Sequence, residues 1–120
     1  EKSADGKSLV NPQTGTKSSA YTSFPKPLDN SRRGGFDVHI YYMQNNAGQT
    51  NFARELHERI HREFPELRIY PLWDKYYNNK PVSPHPVVMF EVNILSPTEL
   101  GAFVPWLVIN RGLLSVLIHP

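Results

Sequence analysis

Apolar residues change their spacing along this chain, and the changes predict four strands and two helices. Segments that alternate apolar with polar positions and are rich in β-branched and aromatic residues indicate strands. These segments are residues 36–43, 67–73, 86–95 and 113–118. After the first strand, apolar residues recur every four positions, which is typical of a helix face. They are Phe52, Leu56, Ile60 and Phe64, with Ala53 beside them. Residues 44–49 and 74–84 are polar and are expected to form loops.

Local signals predict the ends of both helices. Thr50 is the expected N-cap of the first helix, which should end near Phe64 because a proline follows it. The sequence Ser96-Pro97-Thr98-Glu99 combines an N-cap, a proline at the first helical position and the glutamate of a capping box. The second helix should run to about Asn110. Pro105 removes a backbone donor inside it and should bend it.

The order βαββαβ, with its split βαβ units, predicts an α+β protein with a ferredoxin-like fold. In that fold, both helices cover one face of a four-stranded antiparallel sheet. Successive side chains of a strand point to opposite faces, so the parity of a position assigns its face. The even positions of the first, third and fourth strands are mostly aliphatic and should form the core under the helices.

The odd positions of the same three strands face the other way and are unusually polar. They are Asp37, His39, Tyr41, His85, Val87, Met89, Glu91, Ser115, Leu117 and His119. Three histidines, two carboxylates and a tyrosine on adjacent strands favour a functional site. The same residues could instead line a homodimer interface or a hydrated surface, and parity does not separate these interpretations.

Composition divides the chain into a tail and a domain. Only seven of the first 35 residues are apolar (Ala, Val, Ile, Leu, Met, Phe, Trp, Tyr or Cys), whereas such residues make up 39% of the whole chain. Residues 1–20, rich in Ser, Gly, Lys and Thr, should form a disordered N-terminal arm, and residues 21–120 the folded domain. The first 35 residues carry a net charge of +3 and the remainder −1. The basic character therefore belongs to the tail, and a nucleic-acid-binding domain is not expected.

Further classes of site and of protein are disfavoured by single features of the sequence. The sequence contains no cysteine, which excludes disulfides, thiolate metal sites and cysteine nucleophiles. No apolar run approaches the roughly 18 residues that a membrane span requires, and the first residues contain no apolar core of the kind that a signal peptide has. We therefore expect a cytoplasmic protein that does not bind membranes.

One metal-binding motif is present but lacks its context. The segment His57-Glu58-Arg59-Ile60-His61 matches H-E-x-x-H, in which two histidines on one helix bind zinc. No third ligand follows at a recognisable spacing, and the chain is short for a zinc protease. The pair is better interpreted as surface histidines on the first helix.

Several segments together resemble the DOPA 4,5-dioxygenase family. They are YTSFP (21–25), PLDN (27–30), FDVHIYY (36–42), PHP (84–86), VPWL through RG (104–112) and SVLIHP (115–120). The resemblance covers residues 21–120, and the order and spacing of the segments are more specific than any one of them. One departure is Ser83, where the family often has glycine before Pro-His-Pro.

The resemblance implies extradiol cleavage of a catechol ring, by non-haem Fe(II) with O2 as co-substrate, on a small ferredoxin-like domain. The family's histidines match His39, His85 and His119, the same three that parity assigns to one face. Two histidines and one carboxylate leave iron positions open for substrate and O2. Strand geometry favours His39, His119 and Glu91 as the metal ligands.

The remaining candidates are assigned to substrate and proton transfer. His85 lies six residues before Glu91, roughly 20 Å along an extended strand, so it is expected to act as an acid/base residue from the rim. A ligand role would require its loop to curl back. Tyr41 and Arg111 are candidates for holding the ring or carboxylate of the substrate. Arg111 could equally compensate the charge at the C-terminus of the second helix.

Three functions remain open at this point. The leading one is a dioxygenase acting on DOPA or a related small aromatic catechol. The second is a non-enzymatic, dimeric ferredoxin-like module that uses the open sheet face for self-association or ligand binding. The third is a family member that binds metal without turnover.

Overall fold

The structure is a computed structural model that describes residues 1–26, 28, 34–72, 76–77, 80–81 and 87–120. The helices are α1 (Ala47–Glu63) and α2 (Pro97–Asn110), and a 3₁₀ turn spans Ser19–Tyr21. The strands are β1 (Phe36–Met43), β2 (Arg68–Ile69), β3 (Tyr76–Tyr77), β4 (Lys80–Pro81), β5 (Val87–Ile94) and β6 (Ser115–His119).

Four strands form one antiparallel sheet in the order β2-β5-β1-β6. The two long strands β1 and β5 lie at the centre and pair along their whole length, from Phe36 opposite Ile94 to Met43 opposite Val87. The short strands β2 and β6 form the edges. This is the α+β, ferredoxin-like arrangement that the order of elements predicts.

The core lies between the sheet and the two helices, and it confirms the predicted parity in β1 and β5. In β6 the prediction is wrong for Ile118, which is 39% exposed, and Val116 is only partly buried. Even-numbered residues of β1 and β5 are buried, together with residues from both helices. The buried apolar residues are Phe24, Val38, Ile40, Tyr42, Ala53, Leu56, Ile60, Leu67, Val88, Phe90, Val92, Ile94, Phe103, Leu107 and Leu114. Because the helices cover this face, the odd-numbered face of the sheet is left open.

The predicted start of α1 is wrong by several residues. Asn46, not Thr50, is the N-cap, and its side-chain oxygen accepts a hydrogen bond from the Gln49 amide at 3.1 Å. Thr50 lies inside the first turn, where its backbone amide already bonds to the Asn46 carbonyl. The glycine in this turn weakened the sequence signal, since glycine is a poor helix former.

The buried stripe of α1 also differs from the prediction at one position. Ala53, Leu56 and Ile60 are buried, and Phe64 packs against the core from the end of the helix. Phe52 is 38% exposed, because the helix turns its side chain away from the sheet. Its ring instead covers Gly112, just beyond the end of α2.

The boundaries of α2 are as predicted. Ser96 caps the helix by accepting the Glu99 amide at 3.2 Å, and the Glu99 carboxylate accepts the Leu95 amide at 2.8 Å. The helix assignment continues through Pro105 to Asn110. Arg111 is the C-cap, and Gly112 follows with φ of +59°.

Strand lengths differ from expectation mainly at the edges of the sheet. β2 is only Arg68–Ile69, although the Tyr70 amide continues the pairing by bonding to the Glu91 carbonyl at 3.0 Å. β6 begins and ends later than predicted, which places His119 inside the strand. The segment expected to be a plain loop, residues 74–84, contains the paired strands β3 and β4.

Part of the N-terminal tail packs on the domain. Phe24 is 7% exposed, and its ring meets the Phe36 ring edge-on at 5.3 Å. Further towards the N-terminus, Lys2 and Leu9 form an isolated bridge on the surface. Neither of the two α-helices in the described ranges combines the length and apolar character that crossing a membrane requires.

Candidate metal centre

Two neighbouring rows of residues cross the open face of the sheet. Residues opposite one another in adjacent strands lie about 5 Å apart, so register decides which side chains meet. The first row is Arg68, Asn93, Asp37 and His119. The second row, two residues along β1, is Glu91, His39 and Leu117. The register places Glu91 opposite His39 and His119 opposite Asp37, an arrangement that the predicted antiparallel sheet allows.

Asp37, His39 and His119 bring three potential metal donors together. One ligand atom from each residue lies within 4.8 Å of those of the other two. The rings of His39 and His119 meet edge-on, with centroids 4.7 Å apart. All three residues are partly buried, so a bound ion would retain access to solvent or substrate. We refer to these three residues as the histidine–aspartate cluster.

Glu91 and Asn93 extend the cluster on one side. The Glu91 carboxylate lies 3.1 Å from His39 Nε2. The Asn93 amide nitrogen donates to both carboxylates, to Asp37 Oδ1 at 2.8 Å and to Glu91 Oε2 at 2.8 Å. One side-chain amide therefore holds the two carboxylates in place.

This arrangement concentrates negative charge on a partly buried surface. Asp37 and Glu91 share a single neutral donor, and their mutual repulsion is only partly relieved by it. The Glu91 side chain is 23% exposed and that of its neighbour His39 is 16% exposed, so water screens the Glu91 charge less than on an open surface. A divalent cation would compensate both carboxylates, which is why the geometry favours a metal.

Tyr41 orients the His39 ring from the other side. Its hydroxyl lies 3.3 Å from His39 Nδ1, while Nε2 faces the Glu91 carboxylate. Metal binding through one of these nitrogens would leave the other to its present partner, which would then set the tautomer. Both ring nitrogens of His39 thus have partners that fix the ring plane.

An open cavity of about 510 Å³ adjoins the cluster. Its polar wall is formed by Asp37, Glu91, Asn93, Arg68 and Tyr70. The rest of the cavity is lined by Leu28, Gly34, Gly35, Phe36, Leu95 and Pro120. The volume falls in the range of small-molecule sites, and the carboxylates lie in its wall.

Comparison with known proteins decides the family. The model of the Dopa 4,5-dioxygenase family matches residues 36–120, which include the histidine–aspartate cluster. The chain belongs to this family.

Two curated relatives were found. The chain is 62% identical over all of its 120 residues to an uncharacterized 21.2 kDa protein of Botryotinia fuckeliana, of which it covers 63%. It is 37% identical over 82 residues, or 68% of its length, to the DOPA 4,5-dioxygenase of Amanita muscaria, of which it covers 36%. The chain thus spans less than two thirds of either relative. No solved structure matches it.

Arg111, the predicted substrate-binding residue, makes its contacts at the end of α2. Arg111 caps α2, and its guanidinium donates to the Leu114 carbonyl at 2.8 Å, in a hollow lined by Val104 and Val116. None of its described contacts is with the cluster, and the alternative of charge compensation at the helix end matches its position. His85 lies outside the described residues.

The histidine pair of α1 is likewise not assembled as a metal site in the described structure. The His57 Nε2 atom lies 2.8 Å from the Tyr70 carbonyl oxygen, and its ring packs edge-on against Phe90. His61 is exposed. His57 therefore connects α1 to the residues that follow β2.

Four residues around the centre carried too weak a signal to be selected from sequence. Asp37 was placed on the correct face, but Glu91 was preferred as the carboxylate ligand. Asn93 shares the parity of Glu91 and could have been found by extending that pattern. Arg68 and Tyr70 could not, because apolar residues occupy both parities of the predicted strand 67–73 and therefore assign no face.

Proposed function

We propose that this chain carries the metal centre of an extradiol dioxygenase that cleaves DOPA or a related catechol, using non-haem Fe(II) and O2. The observation that supports it is the convergence of Asp37, His39 and His119 in a member of the Dopa 4,5-dioxygenase family. A cytoplasmic location remains a prediction.

The residues present fit Fe(II). Two imidazole nitrogens and one carboxylate oxygen are the donors of the facial sites that bind this metal and leave positions open. His119 would supply one imidazole and His39 the other, with the metal replacing either Tyr41 or Glu91 at one His39 nitrogen, and Asp37 would supply the carboxylate. When bound, the iron supplies the redox chemistry that couples O2 to ring opening.

Glu91 is the alternative third ligand, and its contacts suggest a different role. It is bonded to His39 and to Asn93, and it lines the cavity. A carboxylate in this place can orient His39 and accept a proton from a catechol hydroxyl. We therefore assign Asp37 as the ligand and Glu91 as the residue that orients His39 and accepts the proton.

The other predicted residues keep supporting roles in this proposal. Tyr41 fixes the plane of the His39 ring through Nδ1. His85 is proposed as a second acid/base residue at the rim. Replacing it with Gln should slow turnover by about 100-fold without loss of iron, in the range of general acid–base catalysis.

The metal assignment is tested by anaerobic Fe(II) titration of four variants. H39A, H119A and D37N should each weaken Fe(II) binding by at least about 100-fold, because the first two remove a nitrogen donor and the third removes the negative charge of the carboxylate. E91Q should retain the metal with a loss of about 10-fold, as expected for a residue that orients a ligand. H61A is the matched control, since His61 is exposed on α1, and it should bind Fe(II) like the parent chain. Loss of iron in E91Q but not in D37N would reverse the two assignments.

Catalysis is tested by adding O2 and DOPA to the iron-loaded protein. A yellow ring-opened product should form, with O2 consumed in proportion. Bound iron without turnover of any catechol in a panel would refute the dioxygenase and support a metal-binding protein without turnover. Absence of stoichiometric iron, with H39A altering the oligomeric state, would support the non-enzymatic dimer.

A further inference from the structure

Arg68 lies in the same row of the sheet as Asp37. The register pairs Arg68 with Asn93 and Asn93 with Asp37, so two interstrand steps separate Arg68 from the cluster. Two steps correspond to about 10 Å between backbones. This is comparable to the length of an aromatic ring carrying a three-carbon side chain.

The guanidinium of Arg68 is held in the wall of the cavity. Its Cζ lies over the Tyr70 ring at 4.9 Å from the centroid, a cation–π arrangement. Both Arg68 and Tyr70 line the cavity together with Asp37, Glu91 and Asn93. The cavity therefore has a negative side at the cluster and a cationic side at β2.

Tyr70, whose ring lies beneath the Arg68 guanidinium, is held by contacts of its backbone amide and of its carbonyl oxygen. The Tyr70 amide donates to the Glu91 carbonyl at 3.0 Å, and the Tyr70 carbonyl oxygen lies 2.8 Å from His57 Nε2. Arg68 itself is exposed, and no ion pair joins it to another residue in the described ranges. Its donors are thus available for a planar anion such as a carboxylate, which arginine binds in a bidentate manner.

We propose that Arg68 binds the side-chain carboxylate of the catechol substrate, while the ring hydroxyls face the histidine–aspartate cluster. The inference rests on the proposed function, and it adds a specificity: catechols that carry a carboxylate on a short side chain are preferred over those without one. Arg68 is a positioning and specificity residue in this assignment, with no part in ring opening.

The test compares DOPA with dopamine, which is the same catechol without the carboxylate, and with 3,4-dihydroxyphenylpropionate, which lacks the amine. Binding to the Fe(II)-loaded protein without O2 is measured by calorimetry. The parent chain should bind both carboxylates about 10-fold more tightly than dopamine, in line with the modest net strength of an exposed charge-assisted contact. R68Q should lose this preference and leave the Kd for dopamine unchanged. R68K should retain part of it, and R62Q, on the exposed surface of α1, should behave like the parent chain.

A steady-state measurement provides a second readout. R68Q should raise the KM for DOPA by about 10-fold with kcat nearly unchanged, because only binding of the side chain is lost. A structural defect would lower kcat and affect dopamine as well.

The outcomes separate the two proposals. Carboxylate preference that depends on Arg68, but without ring opening, would refute the dioxygenase and support this assignment. Ring opening with equal affinity for DOPA and dopamine, or with no effect of R68Q, would refute the role of Arg68 alone. Failure of every catechol to bind would overturn both.

Discussion

Asn93 bonds to both carboxylates of the candidate metal centre without being a proposed metal donor itself. Its amide nitrogen is shared by Asp37 and Glu91, which would otherwise repel each other across β1 and β5. The two carboxylates have different proposed tasks, and the distance between them is set by this one side chain. An amide suits the position because it donates twice without adding charge.

Replacing Asn93 with Ala should therefore weaken Fe(II) binding while leaving every proposed ligand in place. We expect a loss of about 10-fold to 100-fold, the usual effect of removing a residue that orients a ligand. Anaerobic Fe(II) titration measures it, with N45A in the exposed turn before α1 as the control. Unchanged affinity in N93A would show that the carboxylates do not need this amide.

The ends of α2 illustrate how elements hold the open face in position. Ser96 and Glu99 define where the helix begins, and Gly112 allows the chain to turn back into β6. Gly112 has φ of +59°, and the Phe52 ring occupies the space into which a Cβ would point. This turn sets the register of β6, and hence the position of His119 opposite Asp37.

Two glycine-to-alanine replacements at this helix should have opposite effects on stability. G112A should lower the free energy of unfolding by about 1–3 kcal/mol, because alanine is strained at positive φ. G101A lies inside the helix with no atom within 4 Å of the added Cβ, and should raise it by about 0.5–1 kcal/mol. Urea denaturation of both variants measures the difference. A G112A protein as stable as G101A would mean that the turn can adopt another conformation.

On the scale of the whole molecule, Phe24 joins the segment that follows the predicted arm of residues 1–20 to the core of the domain. Residues 1–17 precede the Ser18 cap of the 3₁₀ turn, whereas Phe24 belongs to the core and contacts Phe36 at the start of β1. The family match begins at residue 36, so this packed segment lies outside the matched region.

Removal of residues 1–17 should therefore leave stability and metal binding nearly unchanged, as proposed for a separate arm. F24A should lower the free energy of unfolding by about 3 kcal/mol, since it empties a buried aromatic site. Y21A is the control, because Tyr21 is 68% exposed and its loss should cost less than about 0.5 kcal/mol. Thermal and urea unfolding of the three proteins compares them, and equal effects of F24A and Y21A would contradict the packing of this segment.

Several features could be predicted from local pattern because their causes are local. Alternation in β1 and β5 identified Val38, Ile40, Phe90 and Val92 as core, since a strand buries every second side chain. The N-cap at Ser96 could also be predicted from the sequence, because a cap acts within one turn of the helix. The start of α1 could not be predicted in the same way, because both Asn46 and Thr50 are residue types that cap helices. Only the hydrogen bond from the Gln49 amide to Asn46 identifies the N-cap.

By itself, the sequence determined the order of the two helices and of the four strands of the main sheet, but not β3 and β4. It also determined the two faces of the central strands and the placement of His39, Glu91 and His119 on one of them. These follow from periodicity and from the antiparallel register that this topology imposes. Only the tertiary structure placed potential donor atoms of Asp37 and the two histidines within 4.8 Å of one another, and Arg68 and Tyr70 in the wall of the adjoining cavity. The register of two-residue β2 and the turn at Gly112 determine those contacts. Such contacts depend on residues distant in sequence, and no local pattern encodes them.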